Sequence, residues 1–382
     1  MKILKYFLLL LPFFKPAFLM QFDYINLSYN IAQIIVASLT IFHYIKRRSV
    51  SSCLFLIILM ETIIFISSLI NNLNIIDTTI NIIQTLTLCI LVENCASEDL
   101  SNFIKALKCI LTTLLVIDFI FVLAYPQGIR IGLYDTWLFG AKNAQITYIL
   151  PTVFCTYVDG FIINKKNTKS LLYLIAVLLI SVYILLIVKS ATSIITLIIF
   201  TLLLLFSTNK IYSKLNIKTI SLIYLVVVIL IIFFQIQNNF SDLFHSLFGK
   251  DPTFTGRTDI WDKSLDYIKA QPFLGYGLEP SQIRTIKMNN IAALNCHNML
   301  LEILYDGGLV LFSVFCIFWK KICEKVDNFS RNNDQILKSL LIAYMIELLT
   351  EAFSFEILLW IFILVICIAN KGNRICPEVK KV

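Results

Sequence analysis

Runs of about twenty apolar residues recur from one end of this chain to the other, and a helix of that length crosses the roughly 30 Å hydrocarbon core of a bilayer. Inside lipid, every backbone polar group must be paired within the segment itself, so such runs fold as α-helices. Candidate spans lie at 3–20, 25–45, 52–70, 75–92, 103–124, 143–163, 170–188, 191–207, 217–236, 298–319, 336–350 and 353–370. The pattern predicts an all-α polytopic membrane protein with about twelve transmembrane helices. Glu347, Glu351 and Glu356 interrupt the last two spans, which read equally as one bent helix or a re-entrant pair. Only 15% of residues are charged against 58% hydrophobic, which excludes a soluble domain.

Lysine and arginine fix the expected orientation, because short cytoplasmic loops are enriched in both. With the N-terminus inside, alternate loops hold Lys2 and Lys5, Lys46 to Arg48, Lys105 and Lys108, Lys165 to Lys169, Lys210 to Lys218, Lys320 to Lys338, and the C-terminal Lys371 to Lys381. Both termini are then cytoplasmic. The outer side keeps Lys15, Arg130, Lys142, Lys189, Lys250, Arg257, Lys263, Lys269, Arg284 and Lys287. Acidic neighbours balance those in the long loop, but Arg130, Lys142 and Lys189 sit in shorter turns at helix rims, where cations suit an anionic diphosphate. The net charge of +8 lies in short loops at helix ends and does not signal nucleic-acid binding. Met1 to Lys5 resembles the start of a signal peptide, but no small-x-small cleavage site precedes Lys15-Pro16, so the segment reads as a first membrane helix. The ten cysteines show no CxxC or ligand spacing and read as small apolar residues, with no metal site.

The chain divides into an N-terminal bundle (1–236), an external loop (237–297) and C-terminal helices with a tail (298–382). Within the loop, Thr258 to Ala270 has helical spacing, with Ile260, Trp261, Leu265 and Ile268 on one stripe. Thr255 or Thr258 can cap it, and Gln271-Pro272 ends it. Such a helix is expected to lie on the membrane surface with Trp261 at headgroup level. Arg257 at its start reads as an anion site, or as an ordinary solvated arginine beside a cap. Gly275-Tyr276-Gly277 gives backbone freedom for a close approach or a simple turn. His297 opens a membrane helix from outside, where the helix dipole disfavours imidazolium and leaves a ring able to accept a proton; an interfacial capping histidine fits as well. Asn298, Glu302 and Asp306 follow at four-residue spacing and share a face. Asp306-Gly307-Gly308 is expected to loosen the helix. The absence of a DxD pair argues for a donor carrying its own leaving group.

In order, Gly256-Arg257, Trp261, Pro272-Phe273, Gly275-Tyr276-Gly277, His297 to Glu302 and Gly307-Gly308-Leu309 resemble the signature of the O-antigen ligase/polymerase superfamily. The resemblance implies metal-independent, cofactor-free transfer of glycan from an undecaprenyl-diphosphate carrier on the outer face of a bacterial cytoplasmic membrane, in capsule, O-antigen or exopolysaccharide synthesis. It implies that Arg257 binds the diphosphate, that His297 deprotonates or positions the acceptor hydroxyl, and that Asn298 orders it. Trp261, Gly275, Gly277 and Glu302 would support the site. Where the family often has a Ser-Arg pair, this chain has Lys189-Ser190, so Lys189 would supply the charge, and Arg130 falls loosely at another external basic position. The reading that follows is a repeat-unit polymerase whose donor and acceptor are both lipid-linked oligosaccharides. It is preferred over a ligase because no outer domain is appended and the Ser-Arg pattern is altered. A multi-spanning transporter or flippase is the alternative from another class, and a non-catalytic assembly scaffold a third. Partners expected from the pathway are a chain-length regulator and a flippase, besides membrane lipid.

Overall fold

A computed structural model describes residues 2–47, 51–132, 134–163, 168–207, 215–235, 256–328, 335–352 and 365. The expected span at 353–370 and the loop portion 237–255, Thr255 included, fall outside the described residues, apart from residue 365. The described chain is overwhelmingly helical: α1 (Lys2–Leu10), α2 (Asp23–Arg47), α3 (Ser52–Ile70), α4 (Ile75–Ala124), α5 (Gln145–Tyr157), α6 (Thr168–Ile187), α7 (Ala191–Phe206), α8 (Ile217–Ile232), α9 (Arg257–Ala270), α10 (Ser281–Lys287), α11 (Met299–Asp327) and α12 (Gln335–Glu347). Among the described residues, six helical segments are long and apolar enough to cross a membrane: Asp23–Ile41, Ser52–Ile70, Ile75–Ala124, Lys142–Ile163, Thr168–Ile187 and Met299–Asp327. Helices α7 and α8 are apolar but shorter. A multi-pass, all-α membrane architecture therefore stands.

Three expected spans take a different form. The first is not one helix. Pro12 and Pro16 interrupt it, giving α1, a 3₁₀ turn at Leu11–Phe13 and another at Ala17–Gln21, because proline removes a backbone donor and disfavours helix at the residue before it. The expected spans 75–92 and 103–124 are joined without a loop, as the 50-residue α4. At 1.5 Å per residue a straight helix of that length would run about 75 Å, more than twice the apolar core. It breaks at Asp99 (φ −163°, ψ 88°), whose carboxylate then accepts from Asn102 N at 3.1 Å, restarting the helix. Lys2 and Lys5 pair with Glu98 and Asp99 at this break, while Phe18 N donates to Leu138 O at 3.0 Å beyond the other end of α4. The broken N-terminal segment thus still runs from one end of the bundle to the other.

A short hairpin of β1 (Ile129–Ile131) and β2 (Tyr134–Thr136) follows α4, with Arg130 opposite Asp135. Tyr134 Oη donates to Ile291 O, which fixes the hairpin to the end of the bundle where the loop sits.

The loop is a packed layer. Helix α9 forms where the apolar spacing places it, but Gly256 in the left-handed region (φ +85°) is its cap residue, with no side-chain cap, and Thr258 lies inside its first turn. Its stripe does not meet lipid headgroups. Ile260 and Trp261 are fully buried in a second core with Val228 and Ile232 of α8, Tyr276, Met288, Cys296, Leu301 and Tyr305. The apolar face has found protein partners, which removes the drive to lie on a membrane.

Residues 272–277 then run along α11 exactly where that helix opens. Gly308 (φ +61°, ψ −160°) interrupts it, as the glycine pair led one to expect. The freed backbone groups are met by the loop: Leu309 N donates to Pro272 O at 2.8 Å, Tyr276 N to Tyr305 O at 2.8 Å and Gly277 N to Asp306 O at 2.8 Å. Gly275 (φ +60°) and Gly277 (φ +75°) permit this approach, since a Cβ at the first would lie 2.3 Å from Tyr305 O and at the second 2.4 Å from Ser68 Oγ.

Candidate functional site

At the loop end, three segments bring polar side chains to one carboxylate, that of Glu351. Arg257 Nη2 donates to Glu351 Oε1, which also accepts from Asn143 Nδ2 at 2.5 Å. His297 Nδ1 lies 3.4 Å from Glu351 Oε2. Arg257 is 8% exposed and Glu351 4%. Burial works to raise the Glu351 pKa, but the Arg257 charge and the Asn143 hydrogen bond outweigh it and hold the carboxyl below the usual glutamate range.

Backbone geometry explains the convergence. Asn298 caps α11, its Oδ1 accepting from Leu300 N at 3.0 Å and Leu301 N at 3.2 Å, while its Nδ2 donates to Leu349 O at 3.0 Å. That bond ties the start of α11 to the end of α12, and Glu351 N continues the last turn of α12 by donating to Glu347 O at 3.1 Å. His297 sits just before the cap with φ +46°, a left-handed conformation unusual for a non-glycine residue. Its Nε2 lies 3.0 Å from Ala292 O. A neutral imidazole has one N–H; given to Ala292 O, it leaves Nδ1 as the lone-pair nitrogen beside the carboxylate.

The cluster extends into the membrane helices. Ser190 Oγ donates to Asn143 Oδ1 at 2.9 Å and meets Ser193 Oγ at 2.7 Å; Ser193 and Thr196 donate to the two oxygens of Glu347 at 3.1 and 2.8 Å. Of the Lys189-Ser190 pair, then, the serine enters the buried network. Lys189 is exposed beside it, in a left-handed turn (φ +59°) closing α6, and Lys142 is exposed next to Asn143. Both lysines flank the cluster. Arg130 is exposed on the hairpin and makes no described contact with the cluster.

A second polar group lies on the far side of His297. Arg284 of α10, 3% exposed, donates to Glu302 Oε1 at 2.5 Å and Asp306 Oδ1 at 2.9 Å and stacks its guanidinium 4.5 Å from the Tyr305 ring centroid. Burial disfavours its charge, but the two carboxylates outweigh that and hold it charged beyond the ordinary arginine range. Glu302 Oε2 also accepts from Cys296 N at 2.7 Å, so this group and His297 share a wall. Glu302, expected to support the first cluster, belongs to the second. Gly275 and Gly277 act on the helix backbone and touch neither cluster by side chain, and Trp261 packs beneath α9.

Arg257 and His297 both reach Glu351. Glu351, Asn143, Ser190 and Arg284 complete the two groups. Glu351 carried one signal in the sequence, a carboxylate in an apolar stretch, but its partners lie far off in the chain.

These features define a multi-spanning helical membrane protein with a buried arginine–histidine–carboxylate site at one end of its bundle. Residues 175–316 match the family model described as O-Antigen ligase. The match supports the O-antigen ligase/polymerase superfamily and, with it, a glycosyltransferase-like function in a multi-pass bacterial membrane protein acting on lipid-linked glycans. It covers Lys189, Arg257, His297, Asn298 and Glu302, and leaves out Arg130, Asn143 and Glu351. No curated protein matches the chain significantly.

Proposed function

We propose that this protein is a glycan polymerase that joins undecaprenyl-diphosphate-linked oligosaccharide repeat units on the outer face of the bacterial cytoplasmic membrane, with both termini in the cytoplasm. One observation carries the reading: a guanidinium and an imidazole, from opposite ends of the loop, meet on the Glu351 carboxylate at the mouth of the bundle.

In the proposed reaction, His297 Nδ1 takes the proton of an acceptor sugar hydroxyl as its oxygen attacks the anomeric carbon of the donor glycan. The bond from that carbon to the carrier's diphosphate breaks, and the bonding pair leaves with the diphosphate. Arg257 exchanges Glu351 for diphosphate oxygens and offsets the developing charge, with Lys189 and Lys142 at the rim adding to the field. Glu351 then faces the imidazolium formed at His297 and stabilises it. Asn298 acts as a positioning residue, holding the start of α11 against the segment that carries Glu351. Arg130, on the hairpin, contributes at most long-range attraction. Lys189 in place of a family arginine supports polymerase over ligase.

Purified full-length protein in liposomes, given lipid-linked repeat units and no second acceptor, is expected to produce a ladder of lengths. Arg257→Ala and His297→Ala proteins that fold and insert should produce none. A single addition onto a separate lipid acceptor, with no ladder, would make the protein a ligase. Normal glycan length in cells carrying either variant would remove the enzyme reading and favour transport.

A further inference from the structure

The Arg284 group borders a cavity of about 330 Å³ between the first turns of α4, α10 and the upper half of α11, within the range of small-molecule sites. We infer that this cavity binds one sugar ring of the glycan, uncharged or amine-bearing; the inference rests on the transferase reading and gives that site a second subsite.

Three observations converge. The mouth is formed by exposed Asn74, Asp77 and Asn81, and the floor by buried Arg284, Glu302 and Asp306, with Leu278 and Leu294 in the wall. Carboxamides and carboxylates around an apolar wall suit a pyranose, which offers hydroxyls at its edge and C–H groups on its face. Second, Arg284 Nε is buried with no hydrogen-bond partner, although both terminal nitrogens of the same guanidinium are paired. A buried donor without an acceptor is uncommon, and a ligand hydroxyl oxygen would satisfy it. Third, the position is correct for a neighbouring ring: Glu302, in the floor, holds Cys296 N, and Cys296 precedes His297.

Charge sets the specificity. Asp77, Glu279, Glu302 and Asp306 line the space, four carboxylates against two cations, the Arg284 guanidinium and the Lys287 ammonium paired to Glu279. A hexuronate or a phosphate would meet these carboxylates, and Arg284 has already committed its terminal nitrogens.

The test is saturation-transfer NMR on the full chain in nanodiscs, with a panel of methyl glycosides at millimolar concentration: neutral hexosides, N-acetylhexosaminides, hexosaminides and hexuronides. At least one neutral or amino glycoside should show transfer and the hexuronides none. Asn81→Leu, which fills the mouth from an exposed helix position, should weaken that glycoside about tenfold, as expected for losing one or two hydrogen bonds. Thr78→Val beside it gives an independent check should Asn81→Leu express poorly. His297→Ala should bind the glycoside like the parent while losing elongation. Transfer to no glycoside, equal binding of hexuronides, or undiminished binding in both mouth variants would overturn the inference. Those results leave the transferase reading intact; that reading falls separately, on normal elongation by His297→Ala.

Discussion

Replacing Glu351 with glutamine keeps the side-chain volume and removes only the charge between Arg257 and His297. Both members of the Arg257–Glu351 pair are nearly sequestered from solvent, so solvent screening does little, and breaking a buried pair at one partner costs about 3–5 kcal/mol. Glutamine's carboxamide oxygen can still accept from Arg257 and Asn143, which places Glu351→Gln near the lower end, about 3 kcal/mol. Arg257→Gln should cost a similar amount by stranding the carboxylate. In the Arg257→Gln/Glu351→Gln protein neither charge remains, so the two losses should not add, and a double-mutant cycle should return a coupling of about 2 kcal/mol or more. Thermal unfolding in detergent, followed by circular dichroism, reads all four proteins, and a loss near 3 kcal/mol lowers Tm by several degrees in a chain of this size. Effects that add within about 0.5 kcal/mol would refute the reasoning, since they would mean that Arg257 and Glu351 do not hold one another.

Acid acts on the same pair. Because its pKa is depressed in the folded protein, Glu351 contributes stability that is present above the ordinary glutamate value and lost as pH falls through the lower folded value; the deficit of Glu351→Gln relative to the parent should therefore persist down through the ordinary glutamate range and close only in strong acid. Gly277→Ala, which places a methyl group against Ser68 at a positive φ, should cost at least about 3 kcal/mol and abolish elongation, whereas Gly256→Ala, with open space around its Cβ, should cost about 1 kcal/mol from backbone strain alone; expression and thermal unfolding separate the two. A protein retaining only Trp261 among its tryptophans should fluoresce from an apolar environment yet escape quenching by brominated lipid headgroups; strong quenching would restore the surface-helix picture. Asn298→Ala removes the cap of α11 and its tie to Leu349, and should cost about 1–2 kcal/mol while raising the mobility of Glu351, read as faster amide exchange at 349–352.

What could be read from the sequence follows from range of interaction. Hydropathy reports a local property, so α3, α6, α7 and the start of α11 fall close to where apolar runs place them. The α9 stripe is equally local, and Ile260 and Trp261 are indeed its inward face. What covers that face is decided by α8 and Tyr305, distant in sequence, so the membrane was assigned a role that protein fills. The prolines of the first span were visible, but their effect on a lipid-embedded segment depends on contacts such as Phe18 with Leu138. Within the site, Arg257 and His297 stood out by type and by position in a polar loop. Asn143, Ser190 and Glu351 come from three separate helix ends and announce nothing until the bundle brings them together.

The seam between residues 272–277 and the opened turn of α11 has a bearing on how such proteins can be rebuilt. A segment that donates and accepts the missing hydrogen bonds of a transmembrane helix is not an appendage that can be exchanged alone. Any chimera that imports the outer layer from another protein must carry the matching helix half with it, or leave bare amide and carbonyl groups facing oil.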